Sequence, residues 1–189
     1  MDSIDKYIVP IFNTNNSEGV GFFVGDYLIT AGHVICAGQP FIVMNGKKHF
    51  LVTTDALLLR TPNDESTYDD GMDIAVFSFE GMKSPLTFSS TCINVGAHLT
   101  SRSMFRHYSE EFGDALSVEE TSGQVIEVMG NFFKCDLERI LREGSSGSPI
   151  FSDNEVVGIL YGNDRKDPEN RILYLSGCAI NELLQQLRK

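Results

Sequence analysis

The chain lacks the basic clusters that mark nucleic-acid-binding and membrane-surface proteins. Its 189 residues carry a formal net charge of −11, with 15 Lys and Arg against 26 Asp and Glu, and no run of basic residues occurs. Binding of phosphate groups depends on clustered basic side chains. We therefore expect neither nucleic acid nor an anionic membrane surface as a partner.

Targeting, spanning and cofactor-binding motifs are also missing. The opening residues, MDSID, lack the positive charge and the apolar stretch of a secretory signal. No apolar run is long enough to cross a bilayer. Together these absences predict a cytoplasmic protein. Because no phosphate-binding glycine loop, dinucleotide fingerprint or metal-ligand cluster is present, we expect no cofactor and no metal.

The four cysteines are far apart in the chain and form no C-x-x-C pair. This spacing excludes a zinc knuckle and a dithiol redox site. We predict buried free thiols, although the even count would also permit two disulfides in an exported protein. The residues are Cys36, Cys92, Cys135 and Cys178.

Short β-branched and aromatic runs, separated by Gly, Asn, Asp and Pro, predict an antiparallel all-β fold. A connection near residues 81–91 divides the chain into two halves, 1–84 and 85–189. Gly25-Asp26 and Gly130-Asn131 have the composition of hairpin turns, and 180–187 has helical spacing, with Asn181 as a possible N-cap. The predicted strands are 7–12, 19–24, 27–30, 41–45, 49–53 and 74–79, then 97–100, 124–129, 132–136, 149–151, 156–161 and 172–176.

Two strings place titratable side chains at the ends of predicted strands. His33 follows the strand at 27–30 in TAGHV, and Asp73 opens the strand at 74–79 in DIAVF. Histidine is the usual general base, because its ordinary pKa of about 6.5 lets it take and return a proton near neutral pH. Singly, a structural histidine and a turn aspartate would explain both. Asp69 and Asp70 lie inside the preceding polar loop, so Asp73 is the preferred acid.

The third string, EGSSGSP, crowds small residues around the hydroxyl of Ser146 just before a predicted strand. Glycine lets the backbone turn so that its N–H groups point inward. An acyl-transfer enzyme needs such donors to meet the oxyanion of its tetrahedral intermediate. We assign this oxyanion hole to the segment Gly144, Ser145 and Ser146, with the amides of Gly144 and Ser146 as donors.

TAGHV, DIAVF and GSSGSPIF, in the order His, Asp, Ser, resemble the three signature segments of trypsin-like serine proteases. The likeness extends in layout over nearly the whole chain and is nearest to bacterial and viral members. It implies two six-stranded antiparallel β-barrels with a C-terminal helix, His33 and Asp73 in the first barrel and Ser146 in the second. His33 would then accept the Ser146 proton while Asp73 fixes the imidazole tautomer.

The same resemblance bears on activation and on substrate contacts. Ser145 stands where digestive-type members carry an Asp that pairs with a newly cut N-terminus, so we expect the loop to be held by its own hydrogen bonds or by a partner. Leu160 falls where many relatives place a Ser beside the catalytic Asp. The implied substrate contacts are Ile140, as the floor of the primary pocket, with Leu160, Tyr161 and Gly162.

The sequence thus predicts a serine endopeptidase acting on polypeptides. Three alternatives remain: a binding module of the same fold without turnover, a protease that is active only when a partner orders its oxyanion loop, and an esterase with its serine on an α/β sheet. The esterase would need a G-x-S-x-G turn leading into a helix, whereas Ser148 replaces the last glycine and Pro149 begins a predicted strand.

Overall fold

The computed structural model describes residues 4–36, 38–59, 71–109, 113–139, 141–164, 167, 169 and 171–187. The first half forms one seven-stranded antiparallel sheet in the order β5-β4-β1-β2-β3-β7-β6. Its strands are β1 (Ile8–Asn13), β2 (Glu18–Val24), β3 (Tyr27–Thr30), β4 (Pro40–Met44), β5 (Lys47–Phe50), β6 (Ala56–Leu59) and β7 (Ile74–Ser78).

The second half forms a closed six-stranded barrel in the order β10-β13-β12-β11-β8-β9. Its C-terminal helix, α1 (Gly177–Leu187), packs Ile180 and Leu184 into the hydrophobic core. The barrel strands are β8 (His98–Ser109), β9 (Gly113–Met129), β10 (Phe132–Leu137), β11 (Pro149–Ser152), β12 (Glu155–Asn163) and β13 (Ile172–Ser176). Within the described part of the chain, no helix has the length and apolar composition needed to cross a bilayer.

The predicted fold class is confirmed, with differences in detail. The first half is a curled seven-stranded sheet, not closed among the described residues, rather than the predicted six-stranded barrel. Its extra strand is β6, which pairs with β7. β8 and β9 form a hairpin far longer than the predicted strands, paired from His98↔Gln124 to Ser109↔Gly113. The helix begins at Gly177, so Asn181 lies inside it and is not its N-cap.

Three hydrophobic clusters form the core, and one of them joins the two halves. One fills the first sheet, around Phe23 and Leu28, and a second fills the barrel, around Phe133 and Tyr174. The third takes residues from both halves, among them Phe22 of β2 and Phe132 of β10, each 0% exposed. This shared cluster fixes the seam between the halves, where the candidate site lies.

The prediction of four free thiols was wrong for two cysteines. Cys92 and Cys178 form a disulfide with a Cα–Cα distance of 5.2 Å, which ties the connection between the halves to α1. The remaining cysteines are free, but Cys36 is exposed and only Cys135 is buried. Burial raises the pKa of the Cys135 thiol to about 12, helped by the nearby Asp136 charge, so the reactive thiolate is disfavoured there.

Cys92→Ser should lower the free energy of unfolding by about 2–5 kcal/mol, because the disulfide closes a long loop in the unfolded chain. Urea unfolding under non-reducing conditions measures this loss, with Cys36→Ser, which removes an exposed free thiol, as control.

Thiol titration is a direct check of the disulfide. We expect Cys36 to react in the folded protein and Cys135 only after unfolding, and a reaction of all four cysteines would contradict the disulfide.

Candidate active site

His33 and Asp73 meet where two neighbouring strands of the first sheet, β3 and β7, end and begin. His33 lies in a short 3₁₀ helix (Gly32–Ile35) directly after β3, and Asp73 directly precedes β7. β3 and β7 are antiparallel, with Thr30 opposite Ala75, so the end of one strand adjoins the start of the other. This pairing brings together side chains 40 positions apart.

Asp73 holds His33 through both of its carboxylate oxygens. Oδ1 accepts the His33 backbone N–H at 3.0 Å, and Oδ2 lies 2.5 Å from His33 Nδ1. Because a carboxylate only accepts, Nδ1 carries the proton of this bond, so in the neutral ring Nε2 is the nitrogen with the lone pair. The Asp73 side chain is 3% exposed and that of His33 is 34% exposed. The pair therefore presents an oriented, accessible base.

Two consecutive glycine turns, 142–145 and 145–148, shape the loop, and Ser146 lies in the second. The Ser145 N–H donates to Arg142 O at 3.3 Å, with Gly144 at φ +88°. The Ser148 N–H donates to Ser145 O at 3.0 Å, with Gly147 also at φ +88°. In a type II turn the N–H of residue i+3 donates to the C=O of residue i, and the third residue has a positive φ. That position favours glycine. The crowding of glycines in the sequence thus has a backbone cause.

This loop docks on the first sheet across the seam. The Val20 N–H donates to Ser146 O at 2.8 Å. A Cβ on Gly147 would lie 2.1 Å from Val20 O and 2.4 Å from Thr30 Oγ1, so the backbone of the loop touches the strand end that leads into His33. On the barrel side, the Gly147 N–H donates to Leu160 O at 2.9 Å.

Buried hydroxyl groups fix the same loop from the barrel side. Ser148 Oγ donates to Ser145 O at 2.6 Å and lies 2.6 Å from Ser103 Oγ on β8. Because the Ser148 proton is committed to the carbonyl, Ser103 is the donor of the second bond. Ser145 Oγ donates to Arg142 O at 2.7 Å. The loop is therefore held by its own hydrogen bonds, which is one of the two arrangements that the sequence predicted.

The main-chain amides of the loop differ in what they bond. The Ser145 N–H is used within the first turn, whereas within the described chain the N–H groups of Gly144 and Ser146 have no acceptor. The described hydrogen bonds also include none between Ser146 Oγ and the His33 ring. In enzymes without bound substrate, the hydrogen bond between a nucleophile and its base is often long and tightens only in the complex.

The predicted substrate contacts have different surroundings. Ile140 lies outside the described residues, as do Asp69 and Asp70. Leu160 is 3% exposed in the barrel core, and its N–H and C=O bond to Ser148 and Gly147. Its burial therefore does not support a contact with substrate. Tyr161 and Gly162 are partly exposed.

Tyr161, rather than Leu160, faces the His33–Asp73 pair. Its ring lies against the His33 ring, with centroids 5.8 Å apart. Sequence reasoning also missed Ser103, which stands in a polar stretch that we did not predict as strand. The only signal for it is the strand alternation that places Ser101 and Ser103 on the same buried face of β8.

An ion-pair network fixes the segment that follows β12. Lys134 on β10, with a side chain 11% exposed, bonds Asp164 at 2.8 Å, Glu127 at 3.1 Å and Asp167 at 3.4 Å. Burial alone would lower the pKa of Lys134, but the hydrogen bonds and charges of Asp164 and Glu127 outweigh it and raise this pKa. Lys134 therefore stays charged and anchors the chain just beyond Gly162.

No family model matches the sequence. Solved structures match the fold over almost its whole length. Neuropsin, a serine protease from mouse brain, aligns with a TM-score of 0.71 and 13% identity over 97% of this chain and 94% of its own. The scabies mite inactivated protease paralogue S-D1 gives 0.70 and 11% over 97% and 93%. The active form of the Rv3671c protease from M. tuberculosis gives 0.63 and 18% over 96% and 81%.

These likenesses confirm that the chain has the trypsin-like, or chymotrypsin-type, serine protease fold. At such low identity they concern the fold alone. The scabies mite protein, which its name describes as inactivated, illustrates that this architecture does not by itself imply turnover.

Gly147→Ala should destabilise the protein more than Gly81→Ala. Both glycines have φ +88°, so an L side chain meets the same backbone strain at each. A Cβ at Gly81 would have no atom within 4 Å, whereas at Gly147 it would clash with Val20 O. We expect an extra loss of about 1–3 kcal/mol in the free energy of unfolding, measured by urea titration. Equal losses for the two variants would contradict the close approach of the loop to β2.

Proposed function

We propose that the chain is a serine endopeptidase that hydrolyses peptide bonds through an acyl-enzyme intermediate. The observation that carries this proposal is the Asp73–His33 pair at the same seam onto which the Ser146 loop docks. The order of the three residues along the chain matches that of the proteases whose fold the chain shares.

In the proposed reaction, His33 Nε2 takes the Ser146 proton as Oγ attacks the scissile carbonyl carbon. Asp73 keeps the proton on Nδ1 and stabilises the imidazolium that forms. The carbonyl oxygen, now an anion, accepts hydrogen bonds from the N–H groups of Gly144 and Ser146. His33 then gives its proton to the leaving amine, the carbon–nitrogen bond breaks, and water attacks the acyl-serine by the reverse proton route.

The edge of β12 supports a polypeptide as the substrate. On one side, Gly162 and Asn163 pair with β13. On the other side, the described pairing of β12 with β11 reaches only Ile159. The N–H of Leu160 bonds to Ser148 and its C=O to Gly147. Beyond that point, residues 162 and 163 can pair with an extended peptide as a further strand. The hydrogen bonds within the loop support activity without a charge pair to a newly cut N-terminus.

A fluorophosphonate probe tests the nucleophile. We expect the native protein to be labelled and Ser146→Ala to remain unlabelled, with the modified peptide identified by mass spectrometry. Labelling that survives the substitution would contradict Ser146 as nucleophile. An unlabelled native protein would instead favour the alternative of a binding module without turnover.

Asp73→Asn should lower kcat by about 10⁴-fold, the loss that this substitution causes in the general Ser-His-Asp mechanism. An amide in place of the carboxylate can donate toward Nδ1 and so stabilises the wrong tautomer of His33. Steady-state hydrolysis of a peptide or ester substrate measures the effect. Asp26→Asn, at an exposed turn position, is the control. Activity retained in Asp73→Asn would remove Asp73 from the mechanism.

A further inference from the structure

Tyr161 occupies a bulge in β12. The pairing of β12 with β13 passes from Leu160↔Tyr174 to Gly162↔Leu173, and this shift of register places Tyr161 at a bulge. Bulges turn a side chain away from its regular direction and are frequent beside active sites. Leu160 points into the barrel core, while Tyr161 packs against the cluster at the seam between the two halves.

At the seam, the Tyr161 ring lies between two other rings. It makes an edge-to-face contact with His33 at a centroid distance of 5.8 Å and an interplanar angle of 79°. It makes a second such contact with Phe132, at 5.5 Å and 80°. Both separations lie in the favourable range for rings in this geometry. Since Phe132 is 0% exposed, Tyr161 is supported from inside the protein.

The contact with Tyr161 complements the contact with Asp73. The carboxylate holds the Nδ1 edge and the backbone of His33, and both of those contacts come from the first half of the chain. The His33 side chain remains 34% exposed. Tyr161 is the described ring that meets the imidazole from the second half, which also carries Ser146.

We propose that Tyr161 is a positioning residue for His33: its bulged, Phe132-supported ring keeps the imidazole aimed at Ser146. This inference rests on the proposed function, since it assigns Tyr161 a part in activating that serine. It also differs from the sequence-based expectation that Tyr161 contacts the substrate. A positioning residue acts on the rate of the chemical step, whereas a substrate contact acts on KM.

Three variants separate these roles. Tyr161→Leu removes the ring, Tyr161→Phe keeps it, and Tyr27→Leu removes another half-buried tyrosine of the same cluster. A small fluorophosphonate reports serine activation without a peptide subsite. We expect Tyr161→Leu to lower both its labelling rate and kcat by about 10- to 100-fold, with KM for a peptide unchanged. Tyr161→Phe and Tyr27→Leu should keep near-native labelling rates.

Two results would overturn the proposal. One is a raised KM in Tyr161→Leu with an unchanged labelling rate, which would make Tyr161 a substrate contact. The other is an equal loss in Tyr161→Leu and Tyr27→Leu, which would mean general destabilisation. Urea midpoints of all three variants, measured in parallel, identify the second case.

Nitrogen-15 NMR of the His33 ring keeps the inference testable if the proposed function fails. Absence of serine labelling in the native protein would refute the function. The His33 ring signals would then test the contact between Tyr161 and His33 by themselves. We expect one set of His33 ring signals, with the proton on Nδ1, in the native protein and in Tyr161→Phe. Tyr161→Leu should show broadened or multiple ring signals. Identical His33 signals in Tyr161→Leu and the native protein would refute the positioning role.

Discussion

The candidate site depends on one contact between the two halves of the molecule, the docking of the Ser146 loop on β2. The hydrogen bond from Val20 to Ser146 O and the absence of a side chain at Gly147 let two backbones approach closely. This contact places the loop against the strand end from which His33 emerges. Asp73 can orient His33 from within the first sheet alone, and the docked loop brings the Ser146 segment to the same seam.

Polar groups in and beneath the loop are distributed in a way that suits acyl-transfer chemistry. The hydroxyls of Ser145, Ser148 and Ser103 bond to one another or to loop carbonyls, so each stabilises the fold of the loop. The amides of Gly144 and Ser146, by contrast, make no hydrogen bond within the described chain. Both residues are partly exposed, so these N–H groups can be reached from solvent. Donors left without acceptors at such a position fit a role toward a ligand's oxygen.

Much of this arrangement could be predicted from the sequence, because its strongest signals are local. The hairpin at Gly25-Asp26, the strand ends beside His33 and Asp73, and the glycine turns around Ser146 are all consequences of short-range backbone preferences. Of the long β8–β9 hairpin only the ends at 97–100 and 124–129 were predicted. Its middle was missed, since charged residues such as Arg102 and Glu120, which pair with each other across the two strands, mask the alternation. The disulfide joins residues 86 positions apart, and sequence spacing does not determine such a pairing. The contact of Tyr161 with His33 depends on a bulge that shifts the register within β12, which periodicity alone does not reveal.

A crystal structure of the phosphonylated protein would test the central claim most directly, because the adduct places a tetrahedral, charged oxygen where the reaction intermediate would stand. The account predicts phosphorus bonded to Ser146 Oγ and one phosphonyl oxygen within about 3 Å of the amide nitrogens of Gly144 and Ser146. His33 Nε2 should lie beside the bonded Oγ, with Asp73 still on Nδ1. Phosphorus on another side chain, or an adduct at Ser146 whose oxygen points to solvent away from both amides, would contradict it.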